Sequence, residues 1–129
     1  MNTENGLSLD ELMFFDGRPG ALALYERLRG AILSEIGARR VEVFKTQISF
    51  KNRRLFAAVS FLPARRAADR PRDFITLTFG LRRRCESPRV DIATEARPGR
   101  WTHHVLIARA EEIDEEMLSW LKKSAFLAR

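Results

Sequence analysis

Apolar residues recur at helical spacing between Pro19 and Ile36, at every second position from Val41 to about Ala108, and at helical spacing again after Asp114. Ahead of the first stretch, Ser8 and Glu11 stand at capping-box spacing, where hydroxyl and carboxylate each satisfy an orphan N–H. They predict a short helix from Leu9 to about Phe15, broken by Asp16-Gly17-Arg18-Pro19-Gly20. A longer helix starts near Pro19, carries Leu24, Leu28, Ile32 and Ile36 on one stripe, and stops at Gly37. Five strands are expected over 41–51, 54–62, 73–80, 89–96 and 101–108, rich in β-branched and aromatic residues. Lys51-Asn52-Arg53-Arg54 reads as a tight hairpin turn, 64–72 as a polar loop, and Ser87-Pro88 and Pro98-Gly99 as further joints. Asp114 is placed to cap a last helix over 115–126 with Met117, Leu118, Leu121 and Ala125 inward.

Helix, helix, five strands, helix is the order of an α+β fold. It implies two layers, a largely antiparallel five-stranded sheet with two amino-terminal helices and one carboxy-terminal helix on one face. A parallel βαβ arrangement lacks the helix-length crossovers it needs. With the turn at Asn52-Arg53, parity assigns Phe44, Ile48, Phe50, Leu55, Ala57, Val59 and Phe61 to the helix-covered face. Ile75, Leu77, Phe79, Val90, Ile92, Trp101, Val105 and Ile107 extend that face. The opposite parity collects Lys45, Gln47, Ser49, Ser60, Thr76, Thr78, Asp91, Glu95, Thr102 and His104, with Phe56 and Leu106 among them. An ammonium, an amide, hydroxyls and an imidazole together suit phosphate, carboxylate or base edges; a solvated antiparallel face also favours Ser and Thr.

The length of 129 residues fits one domain spanning 1–129. A composition 45% hydrophobic and 31% charged excludes disordered and low-complexity classes. The single Cys85 excludes an internal disulfide framework, and with no Cys/His ligand set the expectation is a reducing cytoplasm, no metal and no cofactor. The segment 1–15, with Glu4, Asp10 and Glu11, has neither the basic start nor the apolar run of a secretory leader, and no membrane association is expected. No phosphate-binding glycine loop, dinucleotide fingerprint or nucleophile elbow is present.

Charge is unevenly spread. Residues 1–38 carry −3, 39–100 carry +10 and 101–129 carry −1, so the middle attracts polyanions. Arg supplies 19 of the 23 basic residues, a bias that GC-rich coding also produces. His103 and His104, adjacent on a strand, face opposite sides and cannot share a metal; His103 is expected to be partly buried and held by hydrogen bonds, leaving His104 as the imidazole available to the polar face. Cys85, between Arg84 and Glu86, has no adjacent base and is read as a bystander.

Phe15-Asp16-Gly17 with Pro19, the run Lys45-Thr46-Gln47-Ile48-Ser49-Phe50, Phe56-Ala57, and Pro98-Gly99-Arg100-Trp101-Thr102-His103-His104 together carry a resemblance. Over about 12–121 the chain resembles a small bacterial domain family of unknown function. Its members stand alone or are appended to nuclease-like and "predicted transport" proteins, and it looks akin to YdhG-type domains. The resemblance implies an α+β fold and nucleic-acid-related work, with no catalytic residue. Its motif blocks include Lys45, Gln47, Thr102 and His104, which parity places on the polar face. The leading expectation is therefore a non-enzymatic module recognising an anionic ligand, nucleic acid among the candidates, through Lys45, Gln47, Ser49, Thr102 and His104. Arg53, Arg54 and Arg100 would add longer-range attraction. The alternatives are a metal-independent enzyme acting on phosphodiesters through His104 and Lys45, and an interaction or dimerisation domain seeded by Phe56 and Leu106.

Overall fold

Ser8 and Glu11 form the reciprocal capping box in the computed structural model, which describes residues 6–129. The first five residues, part of the segment read above as lacking a leader, lie outside the described residues. Helix α1 (Leu9–Phe14) is only six residues long, too short to persist on its own hydrogen bonds. A buried carboxylate fixes it. Glu11, 2% exposed, accepts from the Ser8 N–H (2.8 Å), the Arg29 Nε–H (2.7 Å) and the Tyr25 hydroxyl, the last two on helix α2 (Pro19–Glu35). Burial alone pushes this carboxyl up, but the donors from Ser8, Tyr25 and Arg29 outweigh it and hold it below its ordinary 4.5. Helix α2 starts on Pro19, buries Leu24, Leu28 and Ile32 as its spacing predicts, adds Tyr25, and ends ahead of Gly37 at φ +85°. At about 1.5–3 kcal/mol for each large side chain, this stripe rather than helix propensity holds α2 in place.

The sheet is antiparallel throughout, with six strands rather than five: β1 (Arg40–Val43), β2 (Gln47–Lys51), β3 (Leu55–Ser60), β4 (Ile75–Leu81), β5 (Ile92–Arg97) and β6 (Arg100–Ile107). Their spatial order is β1-β2-β3-β4-β6-β5. The expected strand 41–51 is two strands joined by a tight turn, closed by the Phe44 N–H donating to the Gln47 carbonyl at 2.8 Å. Phe44 is consequently 49% exposed rather than core, and Lys45 stands on a turn rather than a strand face. The reversal is encoded in the apolar parity, odd at Val41 and Val43 but even at Ile48 and Phe50.

Two other placements differ from simple alternation. A β-bulge where Phe50 faces Ala57 and Lys51 faces Leu55 leaves Phe56 as the extra residue, so Phe56 and Ala57 both join the helix-side core while Leu55 is 47% exposed. In β5, Ile92 pairs with His104 and Glu95 with Trp101, the reverse of the expected faces, because this strand begins at Ile92 and is an exposed edge with no apolar alternation to read. Trp101, also expected in the core, is only half-buried and lines a hollow at the end of the sheet, whereas Ile48, Phe50, Val59, Ile75, Leu77, Phe79, Val105 and Ile107 are buried as expected in one cluster with α1, α2 and α3 (Glu115–Ala128).

Strands β4 and β5 flank β6 and run in the same direction, so the segment 82–91 must cross β6. His103, fully buried on the helix side, accepts the Cys85 N–H at Nε2 (2.8 Å) and so pegs this crossing segment; its ring stacks on Phe79 and Phe79 on Trp120. Arg89 ties the end of the segment to the Asp114 and Glu116 carboxylates at the start of α3. On the second face, Thr76 and Leu106 are covered rather than open. The connection after β3 turns back over them, with the Thr76 hydroxyl donating to the Leu62 carbonyl (2.7 Å) and Arg65 paired with Asp91. Buried Phe56 and covered Leu106 therefore cannot seed the dimer surface that parity suggested. No helix among the described residues is long and apolar enough to cross a membrane.

Helix α3 is capped by Asp114, whose carboxylate accepts the Met117 N–H, and its Ser124 completes the sheet. The Ser124 hydroxyl donates to the Phe56 carbonyl (2.7 Å) and accepts the Gly80 N–H (3.2 Å), bridging β3 and β4 where the bulge ends their ladder. Ser124→Ala should cost about 1–3 kcal/mol in urea unfolding, because both backbone groups lose their partner. Glu11→Ala should cost about 3 kcal/mol by leaving Arg29 and Tyr25 without their acceptor. Since the folded carboxyl titrates below its ordinary 4.5, the stabilisation Glu11 supplies is complete above about that pH and fades as pH falls through the lower folded value.

Candidate functional site

The turn after α1, the β1–β2 turn and the second face of the central strands converge on an open groove of about 700 Å³. Phe14, Asp16 and Arg18 form one wall, Lys45, Thr46 and Gln47 another, and Ser60, Leu62, Thr78 and His104 line the sheet side. Phe61 anchors the first wall: its ring stacks with Phe14 at 5.5 Å, and the Arg18 guanidinium lies 3.9 Å from its centroid. Thr78 and His104 are directly opposite each other on β4 and β6, and their side chains share a 2.8 Å hydrogen bond through Nδ1. That bond orients the imidazole and leaves Nε2 without a partner among the described residues. Burial lowers the His104 pKa below its ordinary 6.5, so at neutral pH the ring is an uncharged hydrogen-bonding group. Positive charge comes from Lys45 and Arg18, neither in an ion pair among the described residues, and Asp16 opposes it.

Of the seven residues expected to form one site, Lys45, Gln47 and His104 meet here. Ser49 is 1% exposed, a small side chain sunk between taller neighbours, and its Oγ accepts from Gln47 Nε2 at 2.9 Å. It lines a neighbouring depression with Arg53 and Arg54. Thr102 and Arg100 line a third, at the carboxy-terminal end of α3, and Arg54 reaches both. The expected single face is thus three depressions, because Lys45 leaves the strand at the turn and Thr102 lies two pairs further along β6, opposite Gly80. Asp16, Arg18 and Thr78 were not singled out as site residues. Parity puts Thr78 on the same face as His104, but its bond to His104 is legible only once β4 is known to pair with β6, and Asp16 and Arg18 only once α1 is docked.

His103 faces away from this groove. Its burial lowers its pKa below 6.5, and with Nε2 accepting from Cys85 the neutral ring carries its proton on Nδ1. Among the described residues no three His, Cys, Asp or Glu side chains are grouped to hold a metal ion.

These features define a small α+β domain with a six-stranded antiparallel sheet and a polar groove at the edge of its second face. The chain belongs to the family described as Domain of unknown function (DUF5655), whose model matches residues 13–126. The match contains every residue of the groove and the blocks at 15–19, 45–50, 56–57 and 98–104. Comparison with curated proteins found no match, and comparison with solved structures found none either.

Both imidazoles should titrate below 6.5 when followed by NMR, and Thr78→Val should move only the His104 resonances. For His103 the unfolded chain binds the proton first on acidification, so its stabilisation is complete above about 6.5 and is lost as pH falls toward the folded value. A flat urea midpoint between pH 7 and 5 would contradict this burial.

Proposed function

We propose that the chain is a binding module for an anionic ligand, and that its phosphate or carboxylate group sits in the groove between the β1–β2 turn and His104. The observation that supports this reading most directly is the convergence of Lys45, Gln47 and the Thr78-oriented His104 on one hollow of about 700 Å³, within the size range of small-ligand sites. Lys45 supplies the charge, Gln47 the amide, and His104 Nε2 a neutral partner whose direction is already set. Phe14, Phe61 and Leu62 give the apolar contact that a ligand with a ring or short chain needs. Binding is favoured over turnover because the partner of the imidazole is a hydroxyl, which orients it without raising its basicity as a carboxylate would.

Isothermal titration with pyrophosphate and with a mononucleotide tests this and separates a bare anion from one carrying a ring. Binding should weaken about tenfold in Lys45→Ala and in His104→Ala, the scale of one charge-assisted hydrogen bond. Thr102→Val, in another depression, should leave it unchanged. Equal affinity in all three variants would place the anion elsewhere. Cleavage of a phosphodiester that disappears in His104→Ala would replace the binding reading with the enzymatic one.

A further inference from the structure

A group of eight basic side chains lies away from that groove, over the carboxy-terminal end of α3. The crossing segment 82–91 leaves β4 beside this helix and sets Arg82, Arg83 and Arg84 opposite Lys122 and Lys123 around a hollow of about 590 Å³. Its apolar lining comes from Leu81, Trp120, Phe126 and Leu127. A second hollow of about 210 Å³ adjoins it across Leu81 and Leu127, which line both, and brings Arg54, Arg97, Arg100 and Trp101. Among the described residues no carboxylate lines either hollow.

Such a concentration works against folding. Eight like charges around two connected hollows repel one another, and only Arg84 has an acidic partner among the described residues, Glu86 at 3.7 Å with both side chains well exposed. Elsewhere in the chain, basic residues that serve the fold are paired: Arg29 with Glu11, Lys51 with Glu42, Arg65 with Asp91 and Arg89 with Asp114. The unpaired set is therefore complementary to an external polyanion.

The aromatic residues identify its kind. Phe126 is 63% exposed, and its ring already serves as a stacking platform, with the Arg129 guanidinium 3.6 Å from its centroid. Trp101, half-buried, marks the other hollow. Cations that follow a backbone, with aromatic surfaces spaced along them, suit unpaired bases and their phosphates. An acidic peptide would use the charge but leave the platform unused, and in a duplex the base faces are stacked on one another. We propose that the two joined hollows over the end of α3 form a binding track for single-stranded nucleic acid.

Fluorescence anisotropy of a labelled thymidine oligomer of about 20 nucleotides, titrated over about 50–200 mM salt, tests the track on the full chain. Arg82→Glu with Arg83→Glu, and separately Lys122→Glu with Lys123→Glu, should each weaken binding at least about tenfold and flatten its salt dependence. Phe126→Ala, which removes the platform without charge, should weaken it about fivefold or more. Arg27→Glu, an exposed reversal on α2, should leave binding within about twofold. All are surface positions, and unchanged thermal unfolding by circular dichroism confirms that each variant folds. Absence of binding at the lowest salt overturns the proposal, as do equal losses in Arg27→Glu, which would mean net charge alone. Polyglutamate binding the track more tightly than the oligomer, with indifference to Phe126→Ala, assigns it to an acidic peptide instead.

Discussion

The Glu11 carboxylate is the constraint on which the groove depends. A helix of six residues does not hold itself in water, and α1 contributes Phe14 and the turn with Asp16 and Arg18 to one wall. Removing a carboxylate from solvent is unfavourable unless its lone pairs are filled, and here Ser8, Tyr25 and Arg29 fill them from two helices at once. Arg29 also donates to the Gly6 carbonyl at 2.9 Å, so the same guanidinium ties down the chain entering α1. Apolar packing alone would let α1 slide along α2. Directional bonds to one buried group fix its rotation, and with it the direction in which Arg18 meets Phe61.

His103 performs the corresponding task on the other side of the molecule. A crossing between two strands of the same direction usually uses a helix, whose backbone satisfies itself. The ten residues of 82–91 contain none, so their N–H groups need outside acceptors. His103 Nε2 supplies one to Cys85, and Arg89 clamps the far end to the carboxylates at the start of α3. The stack from His103 through Phe79 to Trp120 then fixes α3 to the same strands. The triple arginine is thus displayed beside Lys122 and Lys123 because strand β4 holds the backbone that precedes it and a buried imidazole the backbone that follows.

Local chemistry was legible in the sequence and long-range pairing was not. The Ser8–Glu11 box, the stripe of Leu24, Leu28 and Ile32, the Asn52 turn, the Asp114 cap and the burial of His103 each follow from residues within a few positions of one another. The turn at Phe44–Thr46 was legible in principle, since the parity of the valines and of Ile48 and Phe50 disagrees across it. The bulge at Phe56 and the insertion of β6 between β4 and β5 have no local signature. Both are set by what packs against them, and both decide which side chains share a hollow. For that reason Lys45, Gln47 and His104 came together while Ser49, Thr102, Arg54 and Arg100 were distributed to neighbouring depressions.

The charge map shows the same limit in another form. Counting along the chain located the excess at 39–100 but not which cations are occupied. Ion pairing occupies Lys51 and Arg65 with acids of the same stretch and Arg89 with Asp114 outside it, and the fold adds Lys122 and Lys123 from a segment whose own charge is slightly acidic. Eight cations gather around the two hollows at the end of α3, whereas the groove beside His104 combines two cations with Asp16. A groove of mixed charge with an oriented neutral imidazole discriminates by hydrogen-bond geometry, and a track of unpaired cations attracts over a Debye length and discriminates little. On the two proposals above, salt dependence is expected to be steep at the end of α3 and shallow in the groove, so ionic strength is the variable that separates the two kinds of binding.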